Sequence, residues 1–204
     1  VTSSINSEGK SYVATNLAIS LSLLHKKVAL VGLDIRKPML AKYLNLPTKG
    51  CVTSYLSDAS YTVDDLIVAS EFKGLDILPA GAIPPNPSEL LQSQRLDELF
   101  AELRKRYDYV VIDSAPVAMV SDTFLLNRVA DLTVYVSRAR YTTTNLIDFI
   151  KQVHEQKRLP NIVTVLNGVG TTKKGYGYGY GYGYGYGYGY GHHVNKKKKW
   201  WQLK

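Results

Sequence analysis

A chain of 204 residues with 45% hydrophobic residues has room for one sizeable α/β core and little for a second. Its formal net charge of +8 would point to nucleic acid or an acidic membrane surface, but Lys173, Lys174, Lys196 to Lys199 and Lys204 carry seven of the positive charges, leaving the body at 18 − 17 = +1. The single cysteine, Cys51, excludes an internal disulfide framework and fits a reducing compartment, no apolar run reaches the roughly 20 residues that span a bilayer, and no signal-peptide pattern is present.

The chain opens on VTSS, which reads as the last residues of a strand with no apolar run before it, so the expectation is a fragment whose N-terminal part has been removed. Val13 to Lys27 repeat apolar residues at helical spacing, and VALVG, from Val28, is a continuous apolar run of strand length. Further short strands are expected at 75–81, 107–114, 130–137 and 161–169, with helical patterns at roughly 87–106, 121–129 and 142–157. His25 and His154 fall within helical patterns. Strands buried on both faces and alternating with helices predict an α/β fold with a doubly wound, mostly parallel sheet. The pattern stops near Thr171, which divides the chain into a domain over 1–172 and a low-complexity tail over 173–204.

The first chemical motif is SINSEGKS, Ser4 to Ser11, between the opening strand and the first helix. A phosphate-binding loop needs inward-turned backbone N–H groups, a lysine that reaches the β/γ oxygens, and a hydroxyl for magnesium. Gly9, Lys10 and Ser11 supply these, and the positive end of the following helix dipole adds to them. In the pattern G-x-x-x-x-G-K-[ST] the first glycine is replaced here by Ser4. An ordinary turn with a surface lysine is the competing reading of this stretch alone.

Two strands further on end in acids: VALVGLDIRKP carries Asp34 and Arg36, and YVVIDSAPV carries Asp113. In a parallel sheet these ends share the carboxyl edge with the phosphate loop, where ligands bind. A lysine, a hydroxyl and two carboxylates converging there suit magnesium-dependent phosphoryl transfer from ATP. In the segment at 83–93, IPPNPSELLQS, Asn86 or Ser88 is placed to cap a helix. Tyr107, Tyr109 and Tyr135 alternate with apolar residues and are expected to pack.

Taken in order, the phosphate loop, LDIRKP, IPPNPSELLQS, VVIDSAPV and a tyrosine-rich tail resemble the bacterial tyrosine kinase family that accompanies capsule and exopolysaccharide export. The resemblance covers essentially the whole chain. It implies a P-loop NTPase of the deviant Walker-motif ATPase type, using ATP and Mg2+. Lys10, Asp34 and Asp113 would be catalytic, with Ser11, Asp34 and Asp113 around the metal. Ser4, Ile5, Asn6, Ser7, Glu8, Gly9, Lys10, Ser11, Tyr12 and Arg36 would line the nucleotide, and Asn167 falls where related ATPases contact the adenine. The family's strand-end motif usually has a second acid two residues before Asp34, where this chain has Gly32. The family also carries a helix ahead of the phosphate loop through which subunits pack into a ring, and this sequence lacks it. Implied partners are neighbouring copies, a membrane-spanning chain-length adaptor in the same or another chain, and a protein-tyrosine phosphatase, with the domain on the cytoplasmic side of the inner membrane.

Residues 175 to 191 alternate glycine and tyrosine, a composition that cannot join a core. The expectation is that Tyr176, Tyr178, Tyr180, Tyr182, Tyr184, Tyr186, Tyr188 and Tyr190 are phosphoacceptors, modified chiefly between subunits. The Lys-Trp end is also consistent with an anionic membrane surface, and no nucleic acid is expected. Three readings compete with the kinase: a passive tail, a partition-type ATPase switch, and a nucleotide-binding scaffold without activity. The partition ATPases carry a lysine five residues before Lys10, where this chain has Ile5.

Overall fold

Among the described residues seven strands and seven α-helices follow one another as β1 Thr2–Ser3, α1 Lys10–Leu23, β2 Val28–Leu33, α2 Leu40–Leu44, α3 Val52–Ser57, β3 Val68–Ala69, β4 Leu75–Leu78, α4 Pro87–Gln92, α5 Gln94–Arg106, β5 Tyr109–Ser114, α6 Asp122–Leu125, β6 Thr133–Arg138, α7 Thr144–Glu155 and β7 Ile162–Asn167. They belong to a computed structural model that describes residues 1–44, 46 and 50–170; the tyrosine run and the basic end lie outside the described residues.

Strand pairing runs β3-β4-β2-β5 and β1-β6-β7, and Val1 joins the two sets. Its N–H donates to the Ile112 carbonyl at 2.6 Å and its carbonyl accepts from the Ser114 N–H at 3.1 Å, which puts β1 between β5 and β6. Every pairing is parallel except that of the short edge strand β3 with β4. The mostly parallel, doubly wound sheet expected from the sequence is what forms. Helix-connected parallel strands leave both faces covered, and β2 is accordingly buried along its whole length. Gly32 of β2 lies opposite Asp113 of β5.

Helix α5 shows how local sequence sets the packing. Leu96, Leu99, Phe100 and Leu103, spaced by three and four residues, are all buried in the core on one face of the sheet, with β2, α3 and α4. Asp97 in its first turn and Arg104 to Arg106 in its last complement the helix dipole. On the other face, Ala14 and Ala18 of α1 pack against Val28, Leu30 and Val111.

Four expectations are adjusted by the structure. The helical pattern at 87–106 is broken at Ser93, whose backbone is extended at φ −63° and ψ 149°, so that α4 and α5 change direction there. His25 lies beyond α1 in the left-handed region, at φ 59°. Edge strand β7 leaves Val163 and Leu166 exposed, unlike the interior strands. Tyr135 packs as expected and is fully buried, but Tyr109 is 46% exposed where β5 begins.

Because Leu99 is fully buried in the larger core, Leu99→Ala is expected to cost about 3 kcal/mol of unfolding free energy in urea denaturation, with an unchanged denaturant slope.

Candidate active site

The phosphate loop bridges β1 and α1, and its shape follows from Gly9. That residue has φ +101°, and a Cβ there would lie 2.1 Å from Asn167 Nδ2, so conformation and space both require glycine. None of the N–H groups from Asn6 to Ser11 makes a loop or cap hydrogen bond to a backbone acceptor, which leaves them for an anion at the start of α1.

What holds the loop open is a buried carboxylate. Glu8 is fully buried; its Oε2 accepts the Ile5 N–H at 2.8 Å and its Oε1 accepts the Thr142 hydroxyl. The end of β6 and the loop after it add two struts, Arg138 Nη1 to the Ser7 carbonyl at 2.9 Å and the Tyr141 hydroxyl to the Asn6 carbonyl at 3.3 Å. At the end of β7, Asn167 Nδ2 donates to the Glu8 carbonyl at 2.9 Å while its Oδ1 accepts the Gly168 N–H. Ser4, in the position of the pattern's first glycine, is buried with its hydroxyl bonded to the Tyr135 hydroxyl. Of these contacts, the roles of Tyr135, Arg138, Tyr141 and Thr142 were not expected from sequence. For Arg138, Tyr141 and Thr142 the sequence signal is a polar cluster at a strand end on the carboxyl edge, whereas Tyr135 lies inside β6.

Lys10, Asp34 and Asp113 meet at the base of the loop. Lys10 Nζ lies 3.0 Å from Asp34 Oδ2, with side-chain exposures of only 11% and 6%. Asp34 Oδ1 accepts the Lys37 N–H at 3.0 Å, which turns the chain after β2. Burial pushes the Asp113 carboxyl above its ordinary range, against the opposing pull of the Lys10 charge and the Ser11 hydroxyl. Its Oδ1 is buried without a hydrogen-bond partner, and Asp34 Oδ2 has the lysine charge beside it but no directed hydrogen bond. Buried oxygens short of protons, beside a serine hydroxyl, suit a magnesium ion, which takes one or two carboxylates and completes its shell with water and phosphate.

The Arg36 guanidinium pairs with both oxygens of the buried Asp122 and reaches Ser88 Oγ at 3.1 Å. Gly32 is closely covered: a Cβ there would lie 3.1 Å from the Ala80 nitrogen and 3.5 Å from Leu40 Cδ2. Asn86 occupies the cap position of α4 but its side chain donates to Glu89, and Ser88 donates to Asp122. A cavity of about 660 Å3 lies among β5, β6 and α1, lined by Leu17, Leu21, Phe100 and Val134, and none of the loop residues from Ser4 to Ser11 enters it.

A family described as an AAA domain matches residues 7–163. Over 136 residues the chain is 40% identical to the tyrosine-protein kinase YwqD of Bacillus subtilis, covering 67% of this chain and 57% of that one. It is 33% identical over 168 residues to the tyrosine-protein kinase ptk of Acinetobacter johnsonii, covering 82% of this chain and 23% of that one. The chain thus spans only part of the curated relatives it matches. Among solved structures, the kinase domain of VpsO superposes with a TM-score of 0.75 at 34% identity, covering 83% of each chain.

Two outcomes follow from the geometry. Asp113→Asn removes a carboxylate that the fold holds above its ordinary pKa, so it is expected to raise the melting temperature of the ligand-free protein at pH 7. A raised folded pKa makes the penalty grow as pH rises above the ordinary carboxylate range, so the gain should shrink at pH 4. Scanning calorimetry at both pH values checks the sign. Lys10→Met leaves two buried acids without their cation and is expected to cost about 3–5 kcal/mol, most of it recovered in Lys10→Met/Asp34→Asn; chemical denaturation of the four proteins of the cycle gives the coupling.

Proposed function

Since the chain belongs to the AAA-domain family and, within it, to the bacterial tyrosine kinases, we propose that it transfers the γ-phosphoryl group of ATP to tyrosine hydroxyls. The observation that carries the reading is the buried meeting of Lys10, Asp34 and Asp113 beneath a braced phosphate loop.

The loop amides and the start of α1 take the β- and γ-phosphates, and Lys10 leaves Asp34 to reach their oxygens. Ser11, Asp113 and Asp34 would hold Mg2+, which supplies charge neutralisation between the β- and γ-phosphates. Lys10, once drawn to phosphate, frees Asp34 Oδ2, the oxygen it covers without ligand. Asp34 then takes the phenolic proton as the tyrosine oxygen bonds to phosphorus and the bond from phosphorus to the β-phosphate oxygen breaks, releasing ADP. A loose transition state requires little prior deprotonation, so one acid suffices where the family's second is missing. Asn167 would contact the adenine only by exchanging one of the bonds it makes at the loop.

The acceptors are the tyrosines from Tyr176 to Tyr190, used between neighbouring copies. Full modification would add roughly −12 to −16 to a tail carrying seven lysines and drive packed copies apart. Around this activity we place a ring-like homo-oligomer, a membrane-spanning adaptor, a protein-tyrosine phosphatase, and a role in regulating exopolysaccharide or capsule export from the cytoplasmic face. Among the described residues no helix is long and apolar enough to cross a membrane.

Phosphatase-treated protein incubated with Mg-ATP is expected to gain several phosphoryl groups by intact mass, all mapping to residues 176–190, and to gain none as Lys10→Ala or Asp34→Ala. An unmodified wild-type protein that still binds nucleotide would favour the scaffold reading, which Gly32 supports. With Leu40 and Ala80 filling the space beside that glycine, Gly32→Asp is expected to leave the transfer rate no higher and to lower stability by about 1–3 kcal/mol; kinase assays and urea melts on the variant test both.

A further inference from the structure

Resting on the kinase reading, we propose that Arg36 is a specificity-determining residue on the acceptor side. It binds a phosphotyrosine next to the incoming tyrosine, so that closely spaced tyrosines are modified in sequence. Asp122 and Ser88 are the positioning residues that aim it.

The guanidinium is fixed and yet available. Of the five N–H donors an arginine carries, Nε and one on Nη2 go to Asp122, and the other on Nη2 to Ser88, which leaves the two on Nη1. The Arg36 side chain is 42% exposed, while that of Asp122 beneath it is 2% exposed. Ser88 Oγ also donates to Asp122 Oδ1 at 3.0 Å, which closes a three-membered network from the loop after β2 to α4 and α6. The same loop is pinned at its backbone by Asp34 and presents Lys37 as a second exposed cation. Asp122 offsets the charge of Arg36, and Lys37 adds an exposed positive charge beside it. With its planar group pre-oriented in this way, the free Nη1 takes an oxyanion with little further loss of freedom.

The acceptor sequence supplies the anion only after the first transfer. Gly-Tyr repeats are uncharged, and each phosphotyrosine brings about −1.5 to −2. In an extended segment, tyrosines two residues apart point the same way at a separation of about 7 Å. Asp34 and Arg36 stand two residues apart on the turn after β2, and the backbone of that turn is held by Asp34. A phosphotyrosine on Arg36 would hold the neighbouring tyrosine on the same turn as Asp34.

The test uses the full chain with Gly-Tyr-Gly-Tyr-Gly peptides carrying phosphotyrosine at the first or second tyrosine position, against the same peptides with phenylalanine there. In the wild type one phosphorylated peptide is expected to show about tenfold higher kcat/KM than its phenylalanine control, carried by KM, as for one charge-assisted hydrogen bond. That ratio should fall to about one in Arg36→Ala and Asp122→Asn, and Arg36→Lys should restore part of it. A ratio of one in the wild type, an unchanged ratio in Arg36→Ala, or an equal loss on both peptides would overturn the assignment, the last by placing Arg36 on the transferred phosphoryl group. If the wild type modifies no peptide, the kinase reading itself fails. Fluorescence anisotropy with labelled phosphopeptide then decides alone, since Arg36→Ala must still weaken binding about tenfold.

Discussion

The ammonium group of Lys10 sits among more buried carboxylate than it can neutralise, and the whole carboxyl edge is organised around that imbalance. Asp34 takes the lysine as a partner at 3.0 Å, and Asp113 is still pushed upward by burial although the same lysine pulls it down. A buried acid left in this state is stabilised by anything that brings positive charge, and the Ser11 hydroxyl alone brings none. In the proposed reaction Asp34, Asp113 and Ser11 would hold a divalent ion, whose positive charge would offset the acids, and Lys10 would turn to the phosphates.

The imbalance is useful only if the phosphates arrive in one place, and the loop's rigidity secures that. Glu8 is closed in by Ile5 and Thr142, and the carbonyls of Asn6, Ser7 and Glu8 are held by Tyr141, Arg138 and Asn167. With its carbonyls turned outward into these contacts, the loop turns its N–H groups inward without a ligand to order them. Residues from the ends of β6 and β7 can reach it because parallel strands put all their carboxyl ends on one edge.

The turn after β2 is held as firmly as the loop. Leu40 and Ala80 cover Gly32, so Asp34 is left as the acid on that side, and the Arg36–Asp122–Ser88 network fixes the turn to α4 and α6. The segment with IPPNPSELLQS thereby has a positional reason beyond its prolines: its Ser88 helps to hold the residue that follows Asp34 by two.

Much of this was legible from residues alone. Apolar runs alternating with helical repeats dictate a parallel doubly wound sheet, because only that arrangement buries such strands on both faces, and the sheet in turn brings Lys10, Asp34 and Asp113 to one edge. The sequence by itself therefore determined the architecture, the phosphate loop and the acids that serve it. It did not determine how the charges would pair or where Arg36 would point, since a turn brings Asp122 and Ser88 beside that arginine from 86 and 52 residues away. Nor could it show that Glu8 is a buried strut, that Ser4 is accommodated by Tyr135, or that Leu40 occupies the space beside Gly32. Those features depend on side chains meeting across the sheet edge. Spacing along the chain records which strand a residue belongs to; only packing decides which partner its side chain finds there.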